Sequence, residues 1–341
     1  MHKLHTVQSL WSGYGDISRY VSPRLETTFI VKYISPPIAP VHPRGWNTHT
    51  SHQRKLQSYQ IEANFYRNYA CLCDDHCAVP KLLAEFSENP QQILVLQDLD
   101  QAGFSQRKDE VGMADVISGI KWLAYFHARF LQKDSRDLWP IGTYWYLATR
   151  QDEFKVMGSG RLKEAAQALD TALNRASFQT LVHGDAKLAN FCFSDSDDSS
   201  RFAAVDFQYV GKGVGVKDLA YFLGACLNQD DLFKHEHLLL DEYFMQLKEA
   251  LEHYQVKVDF THLQQQWRSL RLLGIHERRL IVIKLEKCSF SVQLSGARNV
   301  GHLESLAYRL HNNQPTAFIS STVVTCLPPA LTINSQQVYP G

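Results

Sequence analysis

Between residues 181 and 223 the chain reads LVHGDAKLANF, then an acidic stretch, then AAVDFQYVGKGVGVKDLAYFL. Asp185, Lys187 and Asn190 share one tight polar stretch between apolar flanks, and a second aspartate, Asp206, closes an apolar run. Polar side chains in such surroundings need partners, so the backbone that carries them has to be held in a defined shape. Residues 191–193 and 202–205 are short β-like runs joined by SDSDDSS, which predicts a hairpin directly after HGD. The joining acid run reads as a solvated turn, because it lacks the glycine and the closing glutamate of a calcium loop.

The hydrophobic period of the rest of the chain changes near residue 100. Before it, TTFIVKYI (27–34) alternates and is β-branched, and QQILVLQDL (91–99) is a compact apolar run with a polar end. Between them, residues 35–52 carry prolines and a glycine that forbid regular structure, which predicts a long loop. Residues 53–70 then place Leu56, Tyr59, Ala63, Tyr66 and Ala70 at helical spacing, with Glu62 on the margin of that inward face. Beyond residue 100, Met113, Val116, Ile117, Ile120, Leu123, His127 and Phe130 form a stripe wide enough for a buried helix, on which His127 reads as a packed core histidine. Further helices are expected over 161–175, 236–254, 262–285 and 302–311, with a loosely held tail after them.

With 341 residues, 45% of them apolar, the chain buries a real core and suits two domains or one two-lobed unit, a strand-rich part of residues 1–99 and a helical part of residues 100–341. Lysine plus arginine equals aspartate plus glutamate, 35 against 35, so nothing in the balance argues for a nucleic-acid groove or an anionic membrane surface as partner. No stretch approaches a membrane span, and the start lacks the apolar core of a secretory signal, so a cytoplasmic location is expected. The seven cysteines are odd in number and scattered, as reduced thiols are. One cluster, CLCDDHC, offers Cys71, Cys73, His76 and Cys77 as zinc ligands; zinc sites more often set ligand pairs on two separated knuckles, so free cysteines are the preferred reading.

The chemistry that best fits the central stretch is phosphoryl transfer from ATP to an alcohol. That reaction asks a protein to position its reactants and to supply positive charge, largely through magnesium held by hard oxygen ligands. Asp206 with the side-chain oxygen of Asn190 suits the metal, and Asp185 suits the hydroxyl proton of the acceptor. An aspartate, an asparagine five residues on, and a second aspartate after a hairpin is the order of kinase catalytic loops. On these residues the chain resembles the small-molecule kinases of the protein-kinase-like superfamily, which include aminoglycoside phosphotransferases, choline and ethanolamine kinases and ecdysteroid kinase-like enzymes. The resemblance implies an α+β, two-lobed fold with a small β-rich N-terminal lobe and a larger helical C-terminal lobe. It implies ATP and magnesium as cofactors, Asp185 as the catalytic aspartate, and Asn190 and Asp206 as metal ligands.

Other positions follow with alternatives beside them. Lys187 stands where protein kinases keep a lysine facing the transferred phosphate, and could equally be a surface lysine. His183 reads as a support of the loop. Lys32 is a lone charge in an apolar strand, which is costly without a counter-charge or a phosphate, and Glu62 is its candidate partner. The resemblance gives that pair the nucleotide's α and β phosphates. Gly13 and Gly15 lie in a turn that could approach phosphates or be a plain hairpin. Gln97 and Leu99 fall, by resemblance, where backbone groups would read adenine. Asp218 suits a helix N-cap, or a tie on the catalytic loop.

Only a short glycine-rich segment separates Asp206 from Asp218, which leaves no room for the long activation segment of a protein kinase. A small-molecule hydroxyl acceptor is therefore expected, with no protein substrate, no nucleic acid and no membrane as partner. DFQ in place of the glycine-terminated triplet of protein kinases, and the missing aromatic two residues past Asp185, leave the acceptor's identity open. The alternative is a catalytically silent, pseudokinase-like nucleotide- or ligand-binding protein.

Overall fold

Alternation and β-branching in GDISRYVS and TTFIVKYI make β2 (Gly15–Ser22) and β3 (Thr27–Ile34) the centre of an antiparallel sheet completed by β1 (His2–Ser9), β4 (Leu82–Glu88) and β5 (Gln91–Gln97). The strand order is β1-β2-β3-β5-β4, so Lys32 sits on the middle strand between Ile17 and Leu94. The computed structural model describes residues 2–10, 13–37, 49–88, 90–144, 146–149, 151–195 and 201–270. Residues 38–48 of the expected loop, the expected helix at 302–311, residues 271–285 of that at 262–285 and the tail lie outside these residues.

The crossover from β3 to β4 is α1 (His49–Asn68), which begins four residues ahead of the expected start at Gln53. Its middle differs from a helix with one inward face: Ser58, Tyr59 and every residue from Ile61 to Tyr66 are buried. The reason is that α1 lies between the sheet and the helical part of the chain. Glu62 meets Lys32 of β3 on one side, and Phe65 stacks on Phe207 with ring centroids 3.8 Å apart on the other.

The helical part is built around α2 (Met113–Arg129), whose main neighbour is α6 (Gln229–His253). Val116, Ile120, Leu123, His127 and Phe130 are buried as expected, whereas Met113 and Ile117 are exposed. The packed stripe widens toward Trp122 and Phe126 instead, which stack on one another at 5.0 Å. Helices α3 (Gln151–Val156), α4 (Arg161–Asn174) and α5 (Val216–Cys226), and a further helix from residue 260 to 270, complete this part. One apolar core runs from Leu94 and Leu96 of β5 through α1 to Phe222 of α5 and Trp267.

Two small ribbons interrupt the helices. Strands β6 (Thr180–Val182) and β9 (Gly211–Gly213) pair, and β7 (Phe191–Phe193) pairs with β8 (Phe202–Ala204) in the expected hairpin. Among the described residues no helix is long and apolar enough to cross a membrane.

Candidate active site

The loop after β6 holds its shape through backbone constraints first. Gly184 has φ +82°, and a Cβ there would lie 2.2 Å from the carbonyl oxygen of Tyr209, so only glycine fits. His183 uses both ring nitrogens locally: Nε2 donates to the carbonyl of Val205 at 3.0 Å, and Nδ1 accepts from the Asp185 N–H at 3.3 Å. That agrees with its reading as a support of the loop.

Asp218 anchors the same loop from α5. Its carboxylate accepts from the backbone N–H groups of His183 at 2.5 Å and Gly184 at 3.0 Å, and lies 3.3 Å from Nε2 of His127. The helix cap is Gly215, three residues earlier, so Asp218 is the tie and not the N-cap. Burial pushes the Asp218 pKa up, but the hydrogen bond and charge of His127, the charge of His183 and the Gly184 N–H outweigh it and hold it below the ordinary aspartate value. His127 is the buried core histidine expected, with Nδ1 on the Tyr243 hydroxyl at 2.8 Å.

These ties set the polar side chains side by side. Asp185, 4% exposed, receives Lys187 Nζ at 2.8 Å and Asn190 Nδ2 at 3.1 Å on Oδ2, and the Tyr221 hydroxyl at 2.8 Å on Oδ1. Asn190 Nδ2 also donates to the Asp185 carbonyl at 2.8 Å, which leaves Oδ1 as the amide's acceptor end. The Asn190 carbonyl accepts from Val205 N–H at 3.0 Å and so links the loop to the residue before Asp206.

Asp206 has φ +66°, a left-handed conformation that few residues other than glycine adopt, aspartate more readily than most. Its Oδ1 is buried without a hydrogen-bond partner among the described residues and lies 4.0 Å from Lys32 Nζ. Burial raises the Asp206 pKa, and Lys32, Lys55, His183 and Lys187 together overcome this and lower it, so the carboxylate is ionised. Lys32 itself is 3% exposed and donates to Glu62 Oε2 at 2.6 Å. Asp185, Asn190, Asp206, Lys32 and Glu62 are therefore brought together.

The remaining expected positions lie at or just beyond the ends of strands. Gly13 and Gly15 form the turn between β1 and β2, with Gly13 N–H donating to the Leu10 carbonyl at 3.3 Å. Gly15 has φ +129°, and a Cβ would sit 1.9 Å from the Tyr33 carbonyl oxygen, a reason for glycine that needs no ligand. Gly15→Ala is expected to lower unfolding free energy by about 1–3 kcal/mol in a urea titration. Gln97 N–H donates to the Lys81 carbonyl, and the Leu99 carbonyl accepts from Ala102 and Phe104.

Several neighbours escaped the sequence reading. Arg19 of β2 meets Asp98, with Nε 2.7 Å from Oδ2, and Asp98 also accepts from the Thr28 hydroxyl at 2.6 Å, which fixes the end of β5. Tyr221 and Lys55 are the others. Lys55 lies seven residues before Glu62, close to two helical turns, and that spacing was the signal available. By contrast the CLCDDHC residues do not all meet at one point: the Cys73 and Cys77 thiols face one another, but Cys71 is exposed and His76 stacks on Tyr125 at 4.5 Å. Among the described residues no group of three or more His, Cys, Asp or Glu side chains is placed to hold a metal.

Residues 148–256, the segment that holds Asp185, Asn190 and Asp206, match the ecdysteroid kinase-like family. The small-molecule-kinase resemblance is thereby met. No curated protein matches the chain. Among solved structures, the chain is similar to an amicoumacin kinase in complex with AMP-PNP, calcium and Ami, at 11% identity and TM-score 0.49 over 91% of this chain and 90% of that one. A microcompartment-associated aminopropanol kinase gives 11% identity and TM-score 0.43 over the same shares. An aminoglycoside phosphotransferase from Streptomyces rimosus, in complex with ADP and streptomycin, gives 12% and 0.39 over 75% of this chain and 90% of that one. At these scores the fold assignment rests on the strand order, α1 and the paired ribbons, together with the family match.

Proposed function

We propose that the protein is an ATP-dependent phosphotransferase that moves the γ-phosphoryl group to a hydroxyl of a small molecule. The observation that carries this reading is the convergence of Asp185, Asn190 and Asp206 beside the buried Lys32–Glu62 pair. In it, residues 1–99 form the nucleotide-binding lobe and residues 100–341 carry the catalytic loop and the acceptor site.

Lys32, steadied by Glu62, holds the α and β phosphates, and the turn of Gly13 and Gly15 covers them. The adenine is read by backbone groups near Gln97 and Leu99 other than the Gln97 N–H and the Leu99 carbonyl, which bond within the chain. Asp206 and Asn190 fit magnesium: the buried, unbonded Oδ1 of Asp206 and the free acceptor end of the Asn190 amide are hard oxygen donors, and the phosphates complete such a site. When bound, magnesium neutralises charge on the transferring group. Asp185 accepts the acceptor's hydroxyl proton on its carboxylate while Lys187, bonded to that carboxylate, faces the transferred phosphate. A cytoplasmic setting goes with this reading.

The test is a screen of hydroxylated small molecules with Mg·ATP, read as the mass gain of one phosphoryl group. Transfer to at least one of them, absent with added proteins as acceptors, is the expected result. Nucleotide binding without any transfer would instead favour the silent binding protein.

A further inference from the structure

Lys55 belongs to no role assigned so far, yet it lies beside the phosphate-facing groups. Its Nζ donates to Gln208 Oε1 at 3.1 Å, and the same oxygen accepts from the Ser58 hydroxyl at 3.1 Å. Gln208, 4% exposed, stands two residues after Asp206, so this anchor ties α1 to the segment that carries the candidate metal ligand. An ammonium has three donors, and Gln208 takes one.

Two further observations point toward an anion. Lys32 and Lys55 lie over the same ring, with their amines 5.5 Å and 4.9 Å from the centroid of Tyr59. Lys32 is already paired with Glu62 at 2.6 Å, whereas Lys55, among the described residues, meets the amide of Gln208 and no carboxylate at ion-pair distance, so a bound polyanion would supply the counter-charge that Lys55 lacks. The Tyr59 hydroxyl, in a residue 2% exposed, has no hydrogen-bond partner among the described residues. Burial pushes the Lys55 pKa down to about 8, with Asp206 opposing and the charge of Lys32 adding to the fall, as suits a cation awaiting a counter-ion.

We propose that Lys55 is a second cationic phosphate ligand of the nucleotide site, taking the terminal phosphate of a nucleoside triphosphate from α1 while Lys32 takes the inner phosphates from β3. The proposal rests on the nucleotide-site reading above. A lysine that merely braces Gln208 would leave affinity independent of the number of phosphates.

The experiment is a calorimetric titration of wild type and Lys55→Met with a non-hydrolysable ATP analogue and with AMP, in magnesium. Loss of one charge-assisted hydrogen bond is expected to weaken the triphosphate about tenfold or more and to move AMP less than about twofold. Equal triphosphate affinity in both proteins, or equal weakening of triphosphate and AMP, overturns the inference and leaves the nucleotide site standing. Failure of wild type to bind the triphosphate overturns both. A second measurement needs no variant: acetylation of wild-type lysines, mapped by mass, is expected to fall at Lys55 with the magnesium triphosphate analogue and to stay unchanged with AMP. Unaltered labelling of Lys55 under the triphosphate likewise sinks the proposal.

Discussion

Exchange of Asp185 for asparagine is expected to lower Mg·ATP turnover by about a hundred- to ten-thousandfold, with nucleotide affinity held within about twofold of wild type. Three groups donate to this carboxylate, Lys187, Asn190 and Tyr221. Asparagine can keep its oxygen at the Oδ2 position, where Lys187 and Asn190 donate, and set its amide nitrogen at Oδ1, where the Tyr221 hydroxyl can reverse and accept. The local network therefore survives, and with it the placement of Asn190 and Asp206. What is lost is the capacity to accept a proton from an alcohol. Before the acceptor is known, slow hydrolysis of ATP serves as the readout, and after it is known, the mass-gain assay does. Turnover equal to wild type would remove Asp185 as the base.

Much of this site was legible because its chemistry is written locally. A lysine in an apolar strand, an HGD stretch with an asparagine five residues on, and an aspartate closing the next apolar run each carry a cost that demands a partner, and the structure supplies those partners from neighbouring elements. The hairpin of β7 and β8 was readable for the same reason, since short β-like runs flank a polar turn. Other features depend on contacts far apart in the chain. Lys55 is unremarkable on a helix until Gln208, more than 150 residues later, reaches it. Periodicity located the stripe of α2 but not its width, so Met113 and Ile117 were drawn in when the packing turns toward Trp122 and Phe126. For Asp218 the sequence leaves two readings, a helix cap, which is a local motif, and a tie on the loop, which is not. The helix instead starts at Gly215, where a Cβ would meet the Tyr243 hydroxyl, Trp267 and His127 within 2.7 Å, and no sequence window shows those three together.

That displacement makes Asp218 the group whose loss should harm the fold most. Asp218→Ala is expected to lower unfolding free energy by about 3–5 kcal/mol in urea titrations, since it strips a buried charge from its partners. The residue is 1% exposed, and its removal leaves the His183 and Gly184 N–H groups and Nε2 of His127 without an acceptor in a place water does not reach. The dependence on pH carries a sign. A carboxylate whose folded pKa lies below the ordinary 3.8 stabilises fully above that value, and the contribution fades as pH falls through the lower, folded value. The gap between wild type and variant should therefore be flat from pH 7 down to about 4 and close only in stronger acid. A gap near zero throughout would mean that the loop holds its shape without Asp218.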